Sequence, residues 1–149
     1  MKKKNKTETN VMKLNLPAIS VNEGVARSLV GAFCSQLDPT IEELADIKCS
    51  VSEAVTNCIV HGYQNLGGLI YIQVSLFSDR SLKIDIRDKG CGIEDIDLAR
   101  TPLFTTDSSG ERSGMGFSVM ESFMNGVRVY SQKGRGTRVS MTKQLSVRL

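Results

Sequence analysis

The sequence predicts an α/β fold, a two-layer sandwich in which helices cover one face of a mixed, mostly antiparallel sheet. Three observations lead to this prediction. A short alternating strand pattern is followed by two long stretches whose apolar residues lie three and four positions apart. Two strand patterns separated by only a few residues come next. A further helical stretch and a final hairpin complete the order β, two helices, two strands, helix, two strands.

The first strand and the first helix are predicted from their apolar spacing. Met12, Leu14 and Leu16 alternate with polar neighbours, which predicts a short strand that ends at Pro17. Residues 21–37 then have helical spacing. The residues expected to share the inner face of this helix are Val25, Leu29, Val30 and Phe33.

The second helix has a clear start and end in the sequence. Asp38-Pro39 interrupts the first helix, and Thr40 followed by Glu43 has the form of a capping box. The helical pattern continues to His61-Gly62, where Gly62 is expected to adopt the left-handed cap conformation. Its predicted apolar face consists of Leu44, Ile47, Val51, Ala54, Val55, Cys58 and Ile59.

The second half of the chain alternates strands with one helix. The predicted elements are strands at 70–74 and 82–86, a helix at about 116–123, and a hairpin of 127–130 and 137–141. Residues 89–113 have no sustained periodicity. A connection of that length in a compact domain is usually functional or mobile.

Length and charge define the domain and limit its partners. We expect a basic, disordered tail at 1–11, one domain at 12–145 and a short C-terminal tail at 146–149. The net charge is +3, but Lys2, Lys3, Lys4 and Lys6 contribute four positive charges, so the rest of the chain sums to −1. Aromatic residues make up only 5%, with no Trp. The basicity is therefore expected to be a solvated tail, and no direct nucleic-acid partner is predicted.

The N-terminus and the cysteine spacing argue against export and against a zinc site. No apolar run approaches the roughly 20 residues that span a bilayer, and no apolar segment follows the basic N-terminus, so a cytoplasmic protein without a membrane partner is predicted. The four cysteines form no CxxC pair and there is one His, which argues against zinc. We expect reduced thiols.

A polar stripe on the second helix is the first candidate for chemistry. Glu53, Asn57 and His61 are four residues apart, each displaced by about 40° around the axis and about 6 Å along it. A solvated helix face is the simpler interpretation. The functional one assigns the Asn57 oxygen to Mg²⁺, and Glu53 to a hydroxyl that it orients or deprotonates. For His61, contact with the last carbonyls of the helix is the favoured interpretation.

Two glycine-containing segments are the other candidates. Asp88-x-Gly90-x-Gly92 follows a strand, where an Asp can accept a hydrogen bond from an adenine amine, although such a string also marks ordinary turns. Gly114-Met115-Gly116 enters a helix whose N-terminal amides suit phosphate. It is neither a Walker loop nor a dinucleotide fingerprint. The segment before it, including 103–106, is expected to be a lid over the nucleotide.

As an ordered set, these strings resemble the N, G1 and G2 boxes of the GHKL ATPases, the superfamily of gyrase-type topoisomerases, heat-shock-ninety chaperones and histidine kinases. Gly136-Thr137 falls where that superfamily places a Thr near the adenine. The resemblance implies the Bergerat fold with bound ATP and Mg²⁺. The implied nucleotide contacts are Asn57, Asp88, Gly90, Gly92, Ile93, Thr105, Thr106, Ser113, Gly114, Met115, Gly116, Phe117 and Thr137.

Four longer segments are similar to the anti-sigma F factor family of endospore-forming bacteria, and the similarity runs from about residue 12 to 145. They are 53–57, 61–63, 102–106 and 111–117. This resemblance implies a homodimeric serine kinase that holds sigma factor F and phosphorylates an anti-anti-sigma protein, leaving ADP. It implies Glu53 as the base, Asn57 as the Mg²⁺ ligand and Arg112 as a neutraliser of γ-phosphate charge.

The partner surface and two alternatives stay open at this stage. Glu23 and Arg27 lie four apart on the first helix, which is sufficient for a simple helix ion pair, and the family resemblance makes them a candidate partner-docking site. One alternative is a sigma-binding module that has lost phosphotransfer. The other is a histidine-kinase catalytic domain that acts in trans.

Overall fold

A five-stranded sheet forms one layer of the protein. The computed structural model describes residues 6–100 and 116–147. The strands are β1 (Glu8–Pro17), β2 (Leu69–Phe77), β3 (Ser81–Arg87), β4 (Gly126–Gln132) and β5 (Gly136–Gln144). Their order in the sheet is β1-β2-β3-β5-β4, and every neighbouring pair is antiparallel. The predicted two-layer α/β fold is confirmed, with an antiparallel rather than mixed sheet across the described residues.

The helices form the second layer and cover one face of the sheet. They are α1 (Val21–Cys34), α2 (Ile41–Asn57), α3 (Ile96–Ala99) and α4 (Gly116–Phe123). Alternate strand residues such as Ile72, Ile84 and Met141 are buried beneath them. The opposite face of the sheet bears no described helix. None of the helices in the described ranges is long and apolar enough to span a membrane.

The inner face of α1 differs from the prediction. Ala26, Val30 and Cys34 are fully buried, whereas Val25 and Leu29 keep 39% and 43% of their surface exposed. The predicted apolar face is therefore wrong: the buried face is rotated around the helix axis toward Ala26 and Cys34, two small residues that the prediction did not count as core. The last predicted turn of this helix, 35–37, is a tighter 3₁₀ turn.

The second helix begins as predicted and ends differently. The Thr40 hydroxyl accepts from the Glu43 amide at 3.0 Å, and the Glu43 carboxylate accepts from the Thr40 amide at 2.9 Å, so the capping box is confirmed. After Asn57 the helix widens into one π turn, Cys58–Gly62. Gly62 is not among the glycines with positive φ, so the predicted left-handed cap is wrong. π turns inside helices are frequent at functional sites.

Two boundaries are corrected by the structure. β1 begins at Glu8 and pairs with β2 from there, so residues 8–11 are not part of a disordered tail. The segment after β3, predicted to lack regular structure, contains the four-residue helix α3, whose first turn is capped by the Asp95 carboxylate. The predicted C-terminal boundary lies close to Leu145, which is buried.

Candidate nucleotide-binding site

A large cavity lies between the end of α2, the adjacent ends of β3 and β5, and the start of α4. Its volume is about 670 Å³, within the range of small-molecule sites. The predicted nucleotide contacts that line it are Asn57, Asp88, Gly92, Ile93, Gly116, Phe117 and Thr137. Residues 101–115 lie outside the described part of the chain, and with them the predicted contacts Thr105, Thr106, Arg112, Ser113, Gly114 and Met115.

Sheet topology brings two distant segments together at this cavity. β3 and β5 are antiparallel neighbours, so the end of one lies beside the start of the other. The Asp88 amide donates to the Thr137 carbonyl at 2.9 Å, and the Thr137 amide lies 3.3 Å from Asp88 Oδ1. The acidic residue and the threonine, 49 positions apart, thus form one wall.

The Asp88 carboxylate is buried and its charge is only partly compensated. It keeps 4% of its surface exposed. Burial raises its pKa above the usual value, while hydrogen bonds from the Gly90 amide, the Cys58 thiol and the Thr137 amide oppose that rise. A buried carboxylate lining a nucleotide-sized cavity is suited to bind an exocyclic amine, because its two oxygens can accept more hydrogen bonds than these three donors supply.

Glycines surround Asp88 because the backbone approaches it too closely for side chains. A β-carbon at Gly90 would lie 2.0 Å from the Gly62 carbonyl oxygen, and one at Gly136 would lie 2.2 Å from the Asp88 carbonyl oxygen. Gly92 has a φ of +75°, and a β-carbon there would lie 2.2 Å from the Gln132 carbonyl oxygen. Close packing thus requires both glycines of the predicted turn, and at Gly92 the backbone conformation requires it as well.

The start of α4 lies against the polar stripe of α2. A β-carbon at Gly116 would lie 3.2 Å from both Glu53 Oε2 and Asn57 Nδ2. Asn57 and His61 line the cavity, whereas Glu53 lines a second, smaller cleft of about 310 Å³. The structure therefore places Glu53 at the boundary between the two spaces, beside the N-terminal turn of α4.

The second cleft also contains the predicted partner surface. Its lining consists of Ser20, Glu23, Ser52, Glu53, Thr56 and Ile59. Arg27 pairs with Glu23 at 3.1 Å, as the helix spacing predicts, and its guanidinium also lies 3.5 Å from the Ser52 hydroxyl. The first helix and the carboxylate of α2 thus share one opening.

Several residues of the site were missed by sequence reasoning. Ser131 Oγ accepts from the Ile93 amide at 2.6 Å and lies 2.8 Å from Thr137 Oγ1, so it joins two predicted contacts. The Tyr63 hydroxyl accepts from the Lys89 amide at 2.8 Å and thereby holds the turn after Asp88. The inward register of β4 could have indicated Ser131; nothing in the sequence indicated the role of Tyr63.

Among the described residues, Asn57 is the candidate ligand for a metal bound together with the nucleotide. The described residues contain no group of three or more His, Cys, Asp or Glu side chains arranged to hold an ion. The amide of Asn57 at the cavity fits Mg²⁺, which is commonly bound through one or two protein oxygens together with phosphates and waters.

These features define an ATP-binding domain. The family described as "Histidine kinase-like ATPase domain" matches residues 16–143, most of the chain, so the protein belongs to that family. Relatives named anti-sigma F factor are 51–55% identical over 92–93% of this chain, so within that family the chain belongs to the anti-sigma F factors.

Three anti-sigma F factors illustrate the similarity in sequence. The one from Thermoanaerobacter pseudethanolicus is 55% identical over 137 residues, covering 92% of this chain and 95% of the relative. Those from Clostridium acetobutylicum and Bacillus cereus are 51% and 54% identical over 138 residues. They cover 93% and 92% of this chain, and 96% and 94% of the relatives.

Solved structures support the fold. A structure of the RsbU and RsbW domains of a Mycobacterium tuberculosis protein superimposes with a TM-score of 0.69 at 20% identity, covering 94% of this chain and 34% of that one. The blue-light activated histidine kinase of Erythrobacter litoralis gives a TM-score of 0.58 at 20% identity, over 80% of this chain and 42% of that one.

Proposed function

We propose that the protein is a cytoplasmic, homodimeric anti-sigma factor that binds and inhibits sigma factor F and also acts as an ATP-dependent serine kinase. Its protein substrate would be the anti-anti-sigma factor that opposes it. The names of the relatives support the sigma partner, and the residues of the site support the kinase activity. ATP is the phosphate donor and ADP the product, with Mg²⁺ bound to the nucleotide.

The single observation that carries the kinase proposal is the position of Glu53. Its carboxylate lies beside Gly116 at the start of α4, next to Asn57 of the nucleotide cavity. It also lines the cleft that Glu23 shares. A carboxylate between a nucleotide site and a cleft on the partner surface is placed where an acceptor hydroxyl can meet both.

The reaction follows from that arrangement. Glu53 accepts the proton of the acceptor serine hydroxyl, and the serine oxygen forms a bond to the γ-phosphorus of ATP. The bond between that phosphorus and the β,γ-bridging oxygen breaks, and its electrons remain on ADP. Most of the rate gain in such transfers comes from positioning and from stabilisation of charge. The amides at the start of α4, beside Gly116, are oriented to meet that charge.

The remaining assignments follow the predicted roles. Asp88 selects adenine by accepting from its exocyclic amine, with Gly90 and Gly92 shaping the pocket. Asn57 would hold Mg²⁺, which when bound offsets the phosphate charge. Ser113 to Gly116 meet the phosphates, and Arg112 neutralises the γ-phosphate.

The partner surface is assigned to the first half of α1, around Glu23 and Arg27. Arg27 has 46% of its side chain exposed and is oriented by Glu23, so its guanidinium can exchange this weak surface ion pair for a partner contact. Arg27→Ala should reduce partner binding while the affinity for ATP stays within about twofold, because Arg27 does not line the nucleotide cavity.

The test is incubation of the protein with γ-labelled ATP, Mg²⁺ and its anti-anti-sigma partner. The expected product is acid-stable phosphate on a serine of the partner. Acid-labile phosphate would instead indicate a histidine-kinase activity in trans. Sigma binding without any transfer would reduce the protein to a sequestering module and overturn the kinase proposal.

A further inference from the structure

The uncovered face of the sheet concentrates positive charge. Five of its six cations lie on four of the strands, and Lys89 follows the end of β3. The six are Lys13, Lys83, Arg87, Lys89, Arg128 and Arg138. Asp85 is the acidic side chain among them, and we call this set the basic face. Its net charge is +5, so the remainder of the chain sums to −2. One corner of the sheet is mixed, with Lys6, Glu8 and Asp79.

A continuous row of residues crosses the basic face near the C-terminal end of β3. Asn15 pairs with Tyr71, Tyr71 with Arg87, Arg87 with Arg138, and Arg138 with Tyr130. Two arginines are therefore directly opposite each other on neighbouring strands. Like charges in such cross-strand positions destabilise a sheet. The arrangement is unfavourable for the isolated fold and favourable for an anionic ligand.

The guanidinium groups are oriented by aromatic rings. Arg87 lies 4.8 Å from the centre of the Tyr71 ring, and Arg138 lies 4.7 Å from the centre of the Tyr130 ring. Lys89 lies 5.0 Å from the Tyr71 ring. Stacking on a ring leaves the N–H edge of a guanidinium available to anionic oxygens.

Compensation by acidic groups on this face is small. Asp85 Oδ1 lies 3.7 Å from Arg138 Nε, and its Oδ2 lies 3.8 Å from Lys83 Nζ. One carboxylate is thus shared by two of the six cations. Surface pairs at such distances contribute little, so most of the positive charge remains available to a ligand.

The character of the face favours nucleic acid over an acidic protein. Protein interfaces need a desolvated apolar or aromatic centre, and here the two tyrosine rings of the face are occupied by the chain's own cations. Binding to a phosphate backbone requires instead a sufficient number of cations, because released counterions provide the affinity. Since the rings are occupied, base stacking is not expected to contribute.

We propose that the basic face binds the phosphate backbone of nucleic acid without reading base sequence. This inference is independent of the proposed kinase activity. It differs from the expectation, based on net charge along the chain, that no nucleic acid is bound.

The test is fluorescence anisotropy of the full-length protein with a labelled 30-base-pair DNA duplex of arbitrary sequence, at several NaCl concentrations. If about four phosphates are contacted, affinity should fall by about a hundredfold between 50 and 200 mM salt. R87E/R138E should weaken binding at least tenfold. The matched control K48E/R135E changes the net charge equally at positions off the basic face, and should lose threefold or less.

Two further measurements test whether the N-terminal tail binds the DNA and whether the ligand is an acidic protein. K2Q/K3Q/K4Q should keep most of the affinity; its loss would assign binding to the N-terminal tail. Tighter binding of a labelled polyglutamate peptide than of the duplex would identify an acidic protein as the ligand. Either of these two results would overturn the proposal. So would equal weakening of DNA binding by both charge reversals, or no duplex binding by the parent protein. An ATP affinity equal to that of the parent shows that each variant is folded. If R87E/R138E does not bind ATP, R87Q/R138Q takes its place.

Discussion

Gly62 and Asp88 touch across the floor of the nucleotide cavity. A β-carbon on Gly62 would lie 2.6 Å from Asp88 Oδ2 and 2.8 Å from its carboxyl carbon. The glycine is therefore required by the position of the carboxylate, since its own φ is not in the left-handed region. The π turn that ends α2 brings this glycine against the end of β3.

Gly62→Ala should displace Asp88 and weaken ATP binding at least tenfold. The added methyl group cannot fit without moving a carboxylate that is held by two backbone amides. Isothermal titration with ATP measures the effect. Gly24→Ala is the matched control, because a β-carbon there meets only the flexible end of Arg27 at 3.6 Å. An unchanged ATP affinity in Gly62→Ala would show that Asp88 is not the adenine acceptor.

Asp88→Asn should change stability and ATP binding in opposite directions. Burial raises the pKa of Asp88, so its protonated form is favoured in the folded protein, and its stabilising contribution is lost as pH rises through that pKa. The neutral amide should therefore raise the free energy of unfolding at pH 7. This gain should vanish below the ordinary Asp pKa of about 3.9. Urea titrations at both pH values measure it.

The same substitution should weaken ATP binding by about tenfold to a hundredfold, the effect of losing a hydrogen bond to a charged acceptor. In the parent protein, ATP affinity should fall as pH is lowered through the raised pKa of Asp88, because protonation removes the acceptor charge. An ATP affinity that stays constant across that range in the parent, and equal in Asp88→Asn, would contradict the assignment.

Glu53→Gln should leave ATP binding within about twofold and slow phosphotransfer by about a hundredfold, the lower range for loss of a general base. The amide keeps the size of the side chain beside Gly116 and removes its basicity. Single-turnover transfer of labelled phosphate to the partner measures the rate. Glu42→Gln, in the exposed first turn of α2, serves as the control. Transfer at the parental rate would show that another group is the base.

Asn57→Ala should weaken ATP binding in the presence of Mg²⁺ and have a smaller effect in its absence. The amide lines the cavity beside Gly116, where it can hold the ion against the phosphates. Titrations with ATP in Mg²⁺ and in EDTA measure the difference. An equal loss under both conditions would assign Asn57 to the nucleotide itself.

Lys143→Met should lower the free energy of unfolding by about 2 kcal/mol, because breaking a largely buried ion pair strands its partner. Lys143 keeps 9% of its surface exposed, donates to the Phe123 carbonyl at 2.6 Å and lies 3.6 Å from the Asp46 carboxylate. It therefore ties the end of α4 to α2. Thermal unfolding measures the change, and Lys13→Met on the exposed outer side of β1 is the control.

The capping box, the helical spacing of α2 and the succession of elements along the chain could be predicted from the sequence, because each depends on patterns within a few residues. The motif strings around Asn57, Asp88 and Gly116 could be predicted for the same reason. The rotation of α1 and the end of α2 could not. Which side of α1 is buried depends on α2 packing against it, and the conformation of Gly62 depends on Asp88, 26 positions further along.

The sequence by itself determined that the protein has a nucleotide site, since residue types and spacing specify the turn and the polar stripe locally. Only the tertiary structure decided where Glu53 lies relative to Asn57, Gly116 and the cleft of α1, because three separate elements meet there. It also decided the charge of the uncovered face. Outside the N-terminal lysines the chain sums to −1, yet strand register gathers five cations on one surface, with Lys89 after β3 as a sixth, and leaves most carboxylates elsewhere.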